Sequence, residues 1–274
     1  MTDDLPADPA ELLAVARPIA EDVAAHLVAA LEGEGPVVTT KSTLTDLVTE
    51  LDTWAESHIT ERLLAARPDD GVHGEEGARH EGTSGVTWSV DPIDGTVNFV
   101  HGIPSFCVSI GAVVGDRSIA GVVAAPMYHE VFSATLGGGA FVARGGGADV
   151  AIGCSSPASL AMSIVATGFG YDPERRRRQA EVVTRIIPLV ADVRRFGAAA
   201  LDLCWVACGR FDGYWEVGLN HWDRAAGELI VAEAGGRFGG IDAERPSAAG
   251  LVAAGPDVYD DLLAAVRDAG AGSV

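Results

Sequence analysis

Two acidic segments about 130 residues apart, Asp91-Pro92-Ile93-Asp94-Gly95-Thr96-Val97-Asn98-Phe99 and Trp222-Asp223-Arg224-Ala225-Ala226-Gly227-Glu228, constrain this chain more than any other feature. Together they have the look of a two-part site for a metal ion and a phosphate. Val86, Trp88 and Val90 alternate with Thr87 and Ser89, so the run into Asp91 reads as a strand with one buried face. Pro92 removes a backbone donor and stops the ladder, and Gly95 permits a tight path, so Asp91 and Asp94 should emerge together on a turn. Carboxylates that close repel each other, and a hard divalent cation with oxygen ligands relieves the repulsion, which points to Mg2+. Thr96 to Phe99 then leave the turn as a candidate first helical turn, whose free N–H groups favour a phosphate.

The second segment reads as a helix over 222–235, with Ala226, Leu229, Ile230 and Ala234 on one stripe and Asp223 in the opening turn. Taken alone, such an Asp is a helix cap or a partner of the helix dipole. Taken with the first segment, it becomes a candidate ligand.

Further blocks stand in order around these two: Lys41-Ser42-Thr43-Leu44-Thr45-Asp46-Leu47-Val48-Thr49-Glu50-Leu51-Asp52, Gly74-Glu75-Glu76, Arg194-Arg195-Phe196-Gly197-Ala198-Ala199-Ala200-Leu201-Asp202-Leu203-Cys204 and Gly213-Tyr214-Trp215-Glu216. With them the chain resembles, over nearly its whole length, an inositol monophosphatase of the Mg2+-dependent, lithium-sensitive phosphatase superfamily. The resemblance implies metal ligation by Glu75, Asp91, Asp94, Asp223 and the Ile93 carbonyl, with two or three Mg2+ ions, Mn2+ as a substitute, and Li+ and Ca2+ as inhibitors. It implies that the Gly95 and Thr96 amides hold the phosphate, with Lys41 near it and near a loosely held third ion. The Thr96 hydroxyl and Asp52 would orient and deprotonate the attacking water, and Glu76 would orient ligands or waters. Glu216, Ala199 and Asn98 would face the substrate.

The implied reaction is hydrolysis of myo-inositol 1-phosphate by in-line attack of a metal-activated water. Histidinol phosphate, fructose 1,6-bisphosphate and 3'-phosphonucleotides remain open as alternatives, as does a regulatory or binding member of the family. Asn98-Phe99-Val100-His101-Gly102-Ile103-Pro104 resembles the inositol branch, whereas Ala198 stands where relatives often carry Ser or Thr. A structural Ca2+ or Mg2+ site in a sugar-binding protein would leave Thr96 and Asp52 unexplained.

The pattern of elements agrees with the implied layered α/β/α/β/α architecture, part α+β and part α/β. Helices are expected over 9–31 and 44–66, then strands over 107–114, 119–125, 131–136, 140–144 and 150–154 in a large, mainly antiparallel sheet. The second half alternates: strand 163–168, helix 174–189, a short strand near Val193, helix 198–209, strand 214–216, the 222–235 helix, strand 250–254 and a final helix. The expected division is an N-terminal half, 1–154, with most of the ligands, and a C-terminal half, 155–274, with Asp223 and the substrate-side residues, the two forming one compact unit.

Formal net charge is -20 over 274 residues, which disfavours nucleic acid and acidic membranes but not Mg2+. No apolar run is long enough to span a bilayer, and the acidic start, Met1-Thr2-Asp3-Asp4-Leu5-Pro6, lacks a secretory pattern, so a cytoplasmic protein, commonly a homodimer in this family, is expected. Cys107, Cys154, Cys204 and Cys208 have no zinc spacing and read as core fillers. His101 and His221 flank the acidic segments, but hard Mg2+ prefers oxygen, so they read as packing or rim residues. The Gly137–Gly139 and Gly145–Gly147 triplets read as turns, and the run Arg175 to Arg178 as a solvated helix face.

Overall fold

The apolar stripe Leu12, Ala16, Ile19, Ala20, Val23, Ala24 and Leu27 recurs at helical spacing, and Asp8 accepts from the Ala10 amide at 2.9 Å ahead of Pro9. These features make a 24-residue first helix and fix its start. The computed structural model describes residues 5–33, 38–40 and 47–274. In chain order the described elements are α1 (Pro9–Glu32), β1 (Val38–Thr40), β2 (Leu47–Thr49), α2 (Glu50–Ala66), β3 (Gly71–Gly74), β4 (Arg79–His80), β5 (Val86–Asp94), α3 (Thr96–Val100), β6 (Cys107–Val114), β7 (Arg117–Ala125), β8 (Glu130–Thr135), β9 (Gly139–Arg144) and β10 (Val150–Ala151). There follow β11 (Ile164–Thr167), α4 (Pro173–Ile186), β12 (Asp192–Arg194), α5 (Ala199–Ala207), β13 (Gly213–Glu216), α6 (His221–Glu233), β14 (Arg237–Gly239), β15 (Leu251–Ala254) and α7 (Tyr259–Asp268).

An eight-stranded sheet runs β10-β9-β8-β7-β6-β5-β3-β4, and a five-stranded sheet runs β12-β11-β13-β15-β14. The large sheet is antiparallel except where β3 lies parallel to β5. Helices α1 and α2 cover its outer face, while α5 and α6 fill the space between the two sheets. Val182 and Ile186 of α4 and Leu262 and Val266 of α7 pack on the far face of the small sheet with Val165 and Trp215. The order of layers is therefore α/β/α/β/α.

The middle layer fits only because small residues meet. A Cβ on Gly121 of β7 would lie 2.9 Å from the Ala226 Cα, and one on Gly111 of β6 would lie 3.0 Å from the Ala225 Cβ. Helix α6 thus rests almost directly on the sheet backbone, which brings its first turn over the end of β5.

Several boundaries differ from the sequence reading. The second helix starts at Glu50 rather than at 44, because Thr49 caps it: Thr49 Oγ1 accepts from the Leu51 and Asp52 amides, and Asp52 Oδ2 accepts from the Thr49 amide at 2.7 Å. Leu47–Thr49 is instead a strand paired with Val38–Thr40. The strand expected over 150–154 stops at Ala151, and the helix expected to 189 ends at Ile186, with a 3₁₀ turn at Ile187–Leu189. The short β3, β4 and β14 had no periodicity to announce them.

Replacing Gly121 with Val should push α6 off the sheet and cost about 1–3 kcal/mol. A urea denaturation curve checks this, and a variant as stable as the parent would show that α6 does not need that close approach.

Candidate active site

Parallel pairing of β3 with β5 places Gly74 opposite Val90, and the Glu75 amide then donates to the Val90 carbonyl at 3.1 Å. Glu75 therefore emerges beside Asp91. The sequence reading ended the strand before a turn at Pro92; β5 instead continues to Asp94 through a bulge. Asp91 pairs with Ser109 but Asp94 with Cys107, so the β5 side of the ladder carries one extra residue. In a regular strand, residues three apart point to opposite faces. The bulge cancels that alternation and presents both carboxylates to one cleft, and Pro92, which cannot donate, sits where the ladder is broken.

Asp94 is held by helix α5: its two oxygens accept from the Ala199 amide at 3.1 Å and the Ala200 amide at 2.7 Å. Asp223 is the third residue of α6, and its Oδ2 accepts from the Asn220 amide at 2.6 Å. It is a cap and also lines the cleft. The first turn of α6 is stitched to β5 by His221 Nδ1 and Ser89 Oγ at 2.8 Å. Burial, then Arg224, pushes the His221 pKa down to about 4, so this ring is neutral.

Gly95, with φ at +91°, is the N-cap of α3, and a Cβ there would lie 2.8 Å from the Ser105 carbonyl, so the turn requires glycine. It places the Thr96 hydroxyl 3.1 Å from Asp52 Oδ1 and 3.0 Å from the Ile93 carbonyl, and its one proton serves either acceptor. Asp52 is fully buried behind Thr96, and burial raises its pKa despite the hydrogen bonds from Thr49 and Thr96.

One cleft of about 310 Å³ collects Glu75, Asp91, Ile93, Asp94, Thr96, Ala199, Glu216 and Asp223. Other residues singled out in the sequence fall elsewhere. Asn98 lies behind the wall: its amide nitrogen donates to the Ser105 carbonyl at 2.6 Å and the Phe196 carbonyl at 2.7 Å, which makes it a brace between α3 and the approach to α5 rather than a substrate contact. Glu76 sits on the 75–78 turn outside the cleft lining, and Lys41 lies outside the described residues.

Three contributors escaped the sequence reading. Glu56 is buried on α2 and accepts from the Glu76 and Ala78 amides at 2.7 Å each, shaping the turn that presents Glu75. Its signal was present, since Asp52, Ala55, Glu56, Ile59 and Leu63 form one helical stripe with two carboxylates in it. Arg195 lines the cleft. Arg175 lines it too, and so does not belong to a purely solvated face. The four cysteines are free, with Cys107 and Cys204 fully buried as fillers.

The donor set suits a hard cation: carboxylates and a carbonyl, all oxygen. Burial first, then the neighbouring carboxylates, holds Asp91 and Asp223 well above the usual range. Burial brings Asp94 to about 6 even with two amides bound to it. A site that buries like charges without a basic partner is stabilised by a proton or a cation. Among the described residues no three His, Cys, Asp or Glu side chains already stand as a ligand cage. Asp94 and Asp223 each accept from backbone amides and keep further lone pairs on the same oxygens for an ion.

The comparisons with known proteins agree with this geometry. The family model of the inositol monophosphatase family matches residues 8–271. An inositol-1-monophosphatase, SuhB, of Mycobacterium tuberculosis is 45% identical over 277 aligned positions, covering 95% of this chain and 94% of that protein. Nus factor SuhB of Pasteurella multocida is 41% identical over 82% of this chain and 84% of that protein. The crystal structure of the extragenic suppressor protein suhB from Bartonella henselae superposes with a TM-score of 0.87 at 34% identity, covering 94% of this chain and 98% of that one. Fold and cleft are those of a phosphoric monoester hydrolase. The chain belongs to the inositol monophosphatase family.

The raised carboxylates set the sign of a pH dependence. In the folded, metal-free protein Asp94 holds its proton up to about 6, against 3.8 when unperturbed, and Asp91 and Asp223 shift the same way. The contribution of Asp94 to stability is complete below about pH 4 and is lost as pH rises through about 6, and those of Asp91 and Asp223 are lost in the same direction. In EDTA, the melting temperature of the wild type relative to Asp94→Asn should therefore fall between pH 5 and pH 8, and Mg2+ should raise the wild-type value more at pH 8 than at pH 5. An equal Mg2+ effect at both pH values would contradict ligation by these groups.

Proposed function

We propose that this chain is a Mg2+-dependent phosphomonoesterase that hydrolyses myo-inositol 1-phosphate by in-line attack of water on phosphorus. The observation that carries the reading is the juxtaposition, in one cleft, of Glu75, Asp91, Asp94 and Asp223 with the Thr96 hydroxyl that Asp52 backs. When bound by those carboxylates and the Ile93 carbonyl, Mg2+ supplies Lewis-acid polarisation of the phosphoryl group and a lower pKa for the attacking water, from 15.7 towards about 7.

The chain's own residues do the rest. Thr96 Oγ1 donates to Asp52 Oδ1, which leaves an oxygen lone pair for the proton of the water. As the O–P bond forms, that proton passes to Thr96 and the Thr96 proton to Asp52, whose burial favours the protonated form. The ester P–O bond breaks and the alkoxide leaves on the opposite side, to be protonated from solvent. The Gly95 and Thr96 amides, at a helix start, hold the phosphoryl oxygens. Glu56 fixes the loop that carries Glu75 and Glu76, and Glu76 orients waters at its edge.

Glu216 faces the reacting end and accepts hydrogen bonds from ring hydroxyls. Burial raises its pKa to about 7, and the Tyr214 hydroxyl donates to it. In this reading the protein works as a cytoplasmic homodimer, its halves 1–154 and 155–274 meeting at the cleft, and Li+ and Ca2+ inhibit it. Among the described residues no helix is long and apolar enough to cross a membrane.

Phosphate release should be measured with Mg2+ on myo-inositol 1-phosphate, histidinol phosphate and adenosine 3',5'-bisphosphate, with and without EDTA. Preference for the inositol ester, abolished by EDTA, is the expected result, and Asp94→Asn should lower kcat at least about 100-fold, because it weakens the hold on the ion that polarises the phosphoryl group and activates the water. Near-parental activity of Asp94→Asn would sink the ligand assignment. Glu216→Gln should change the ratio of inositol ester to a small generic ester more than it changes the generic rate; equal losses on both would take Glu216 out of substrate recognition. The Pasteurella relative's name, Nus factor, favours a second reading in which the chain serves a partner, and release from none of the esters would move the assignment there.

A further inference from the structure

The lining of the cleft carries, besides its acidic cluster, two guanidiniums that form no ion pair with a carboxylate. Most other described arginines are paired, as Arg210 is with Glu130 and Arg67 with Asp70. Among the described residues Arg175 and Arg195 have no ion pair and no side-chain hydrogen bond, although both line the cleft. Arg195 is exposed and lies 6.0 Å over the Phe169 ring. Arg175 is half-buried, and its Nε–H is fully buried without an acceptor. A buried donor left unmade is costly, and a guanidinium presents its N–H groups as a fork that matches phosphate and carboxylate oxygens.

The backbone makes room for this arrangement. A Cβ on Gly218 would lie 2.7 Å from both terminal nitrogens of Arg175, so the guanidinium rests against the Gly218 backbone. A Cβ on Gly197 would lie 2.2 Å from Arg195 Nη1. The nearby acids are engaged elsewhere. Asp172 caps α4, accepting from the Arg175 amide at 2.7 Å, and Glu216 accepts from the Tyr214 hydroxyl, and neither forms an ion pair with Arg175 or Arg195. The cleft therefore has an acidic end at Asp91 and Asp94 and a cationic end at Arg175 and Arg195, with Glu216 between them.

We propose that Arg175, assisted by Arg195, binds a second anionic group, a phosphate or carboxylate, carried by the substrate at the end remote from the ester that is cleaved. This rests on the phosphatase reading above and adds doubly anionic polyol esters to the inositol ester as substrates the cleft takes. Fork-like contacts to oxygen are strong and geometrically selective, so the second anion should act mainly on substrate binding.

The test compares fructose 1,6-bisphosphate with fructose 1-phosphate, which differ by the remote phosphate, with myo-inositol 1-phosphate as a reference ester, all with Mg2+. The wild type should show kcat/KM at least tenfold higher for the bisphosphate. Arg175→Gln should reduce that ratio at least fivefold, chiefly through KM of the bisphosphate, and Arg175→Lys, which keeps the charge without the fork, should recover part of it; melting curves verify that the variants are folded. A wild-type ratio near one, or an unchanged ratio in Arg175→Gln, overturns the proposal while leaving the phosphatase intact. Cleavage of the inositol ester with neither fructose ester cleaved does the same, and release from no ester removes both readings together.

Discussion

Several like charges have to be buried at one point, and the rest of the structure depends on how that is tolerated. Asp91, Asp94 and Asp223 are each forced above their usual protonation range by burial and by one another. Nothing about the carboxylates draws them together, so apolar packing does it: α5 and α6, wedged between two sheets, carry Ala199, Ala200 and Asp223 to the end of β5. The close contacts of Gly111 and Gly121 with Ala225 and Ala226 let α6 come near enough. A cation binding only the folded state then stabilises it by an amount that grows with the logarithm of its concentration over its Kd, which links metal binding to folding.

Helix starts make the crowding bearable. Asp52 belongs to the capping box of α2, Asp223 accepts from the backbone ahead of α6, and Asp94 accepts from the first amides of α5. Three helices thus aim their N-termini at one region, each equivalent to roughly half a positive charge. The capping reading and the ligand reading of Asp223 are therefore two uses of one geometry: backbone donors lower the cost of a carboxylate that a cation can later share. The same donors explain why the side chains are turned towards amides rather than closed into a cage.

The sequence made legible what depends on local chemistry. The Asp91 segment, Gly95, the Asp223 turn and most helices and longer strands were marked by alternation, helical stripes or capping residues. What it concealed were the effects of pairing across the chain. The bulge at Pro92-Ile93 is defined only against β6, and β3 is a strand only because β5 lies beside it. Asn98 was expected at the substrate only from the family resemblance, yet its amide is consumed by carbonyls about seven and a hundred residues away. Arg175 looked solvated as part of a short basic run on a helix; that it rests against the backbone of Gly218, far along the chain, is visible only in the fold.

This division has a consequence for how chemistry and selectivity are built. The residues that would hold the ion and move the proton sit on β3, β5, α2 and the first turns of α3 and α6, anchored in the two larger cores. The residues facing the other end come from the segment after β11, the start of α4 and the end of β13, and Arg175 and Glu216 are not hydrogen-bonded to each other. A substitution there alters the charge of one pole without disturbing the bulge, the caps or the Thr96–Asp52 contact. On the proposed roles, catalysis and substrate choice are mechanically separable in this fold, and the acidic centre can be kept while the residues at the other end select a different partner for the phosphate.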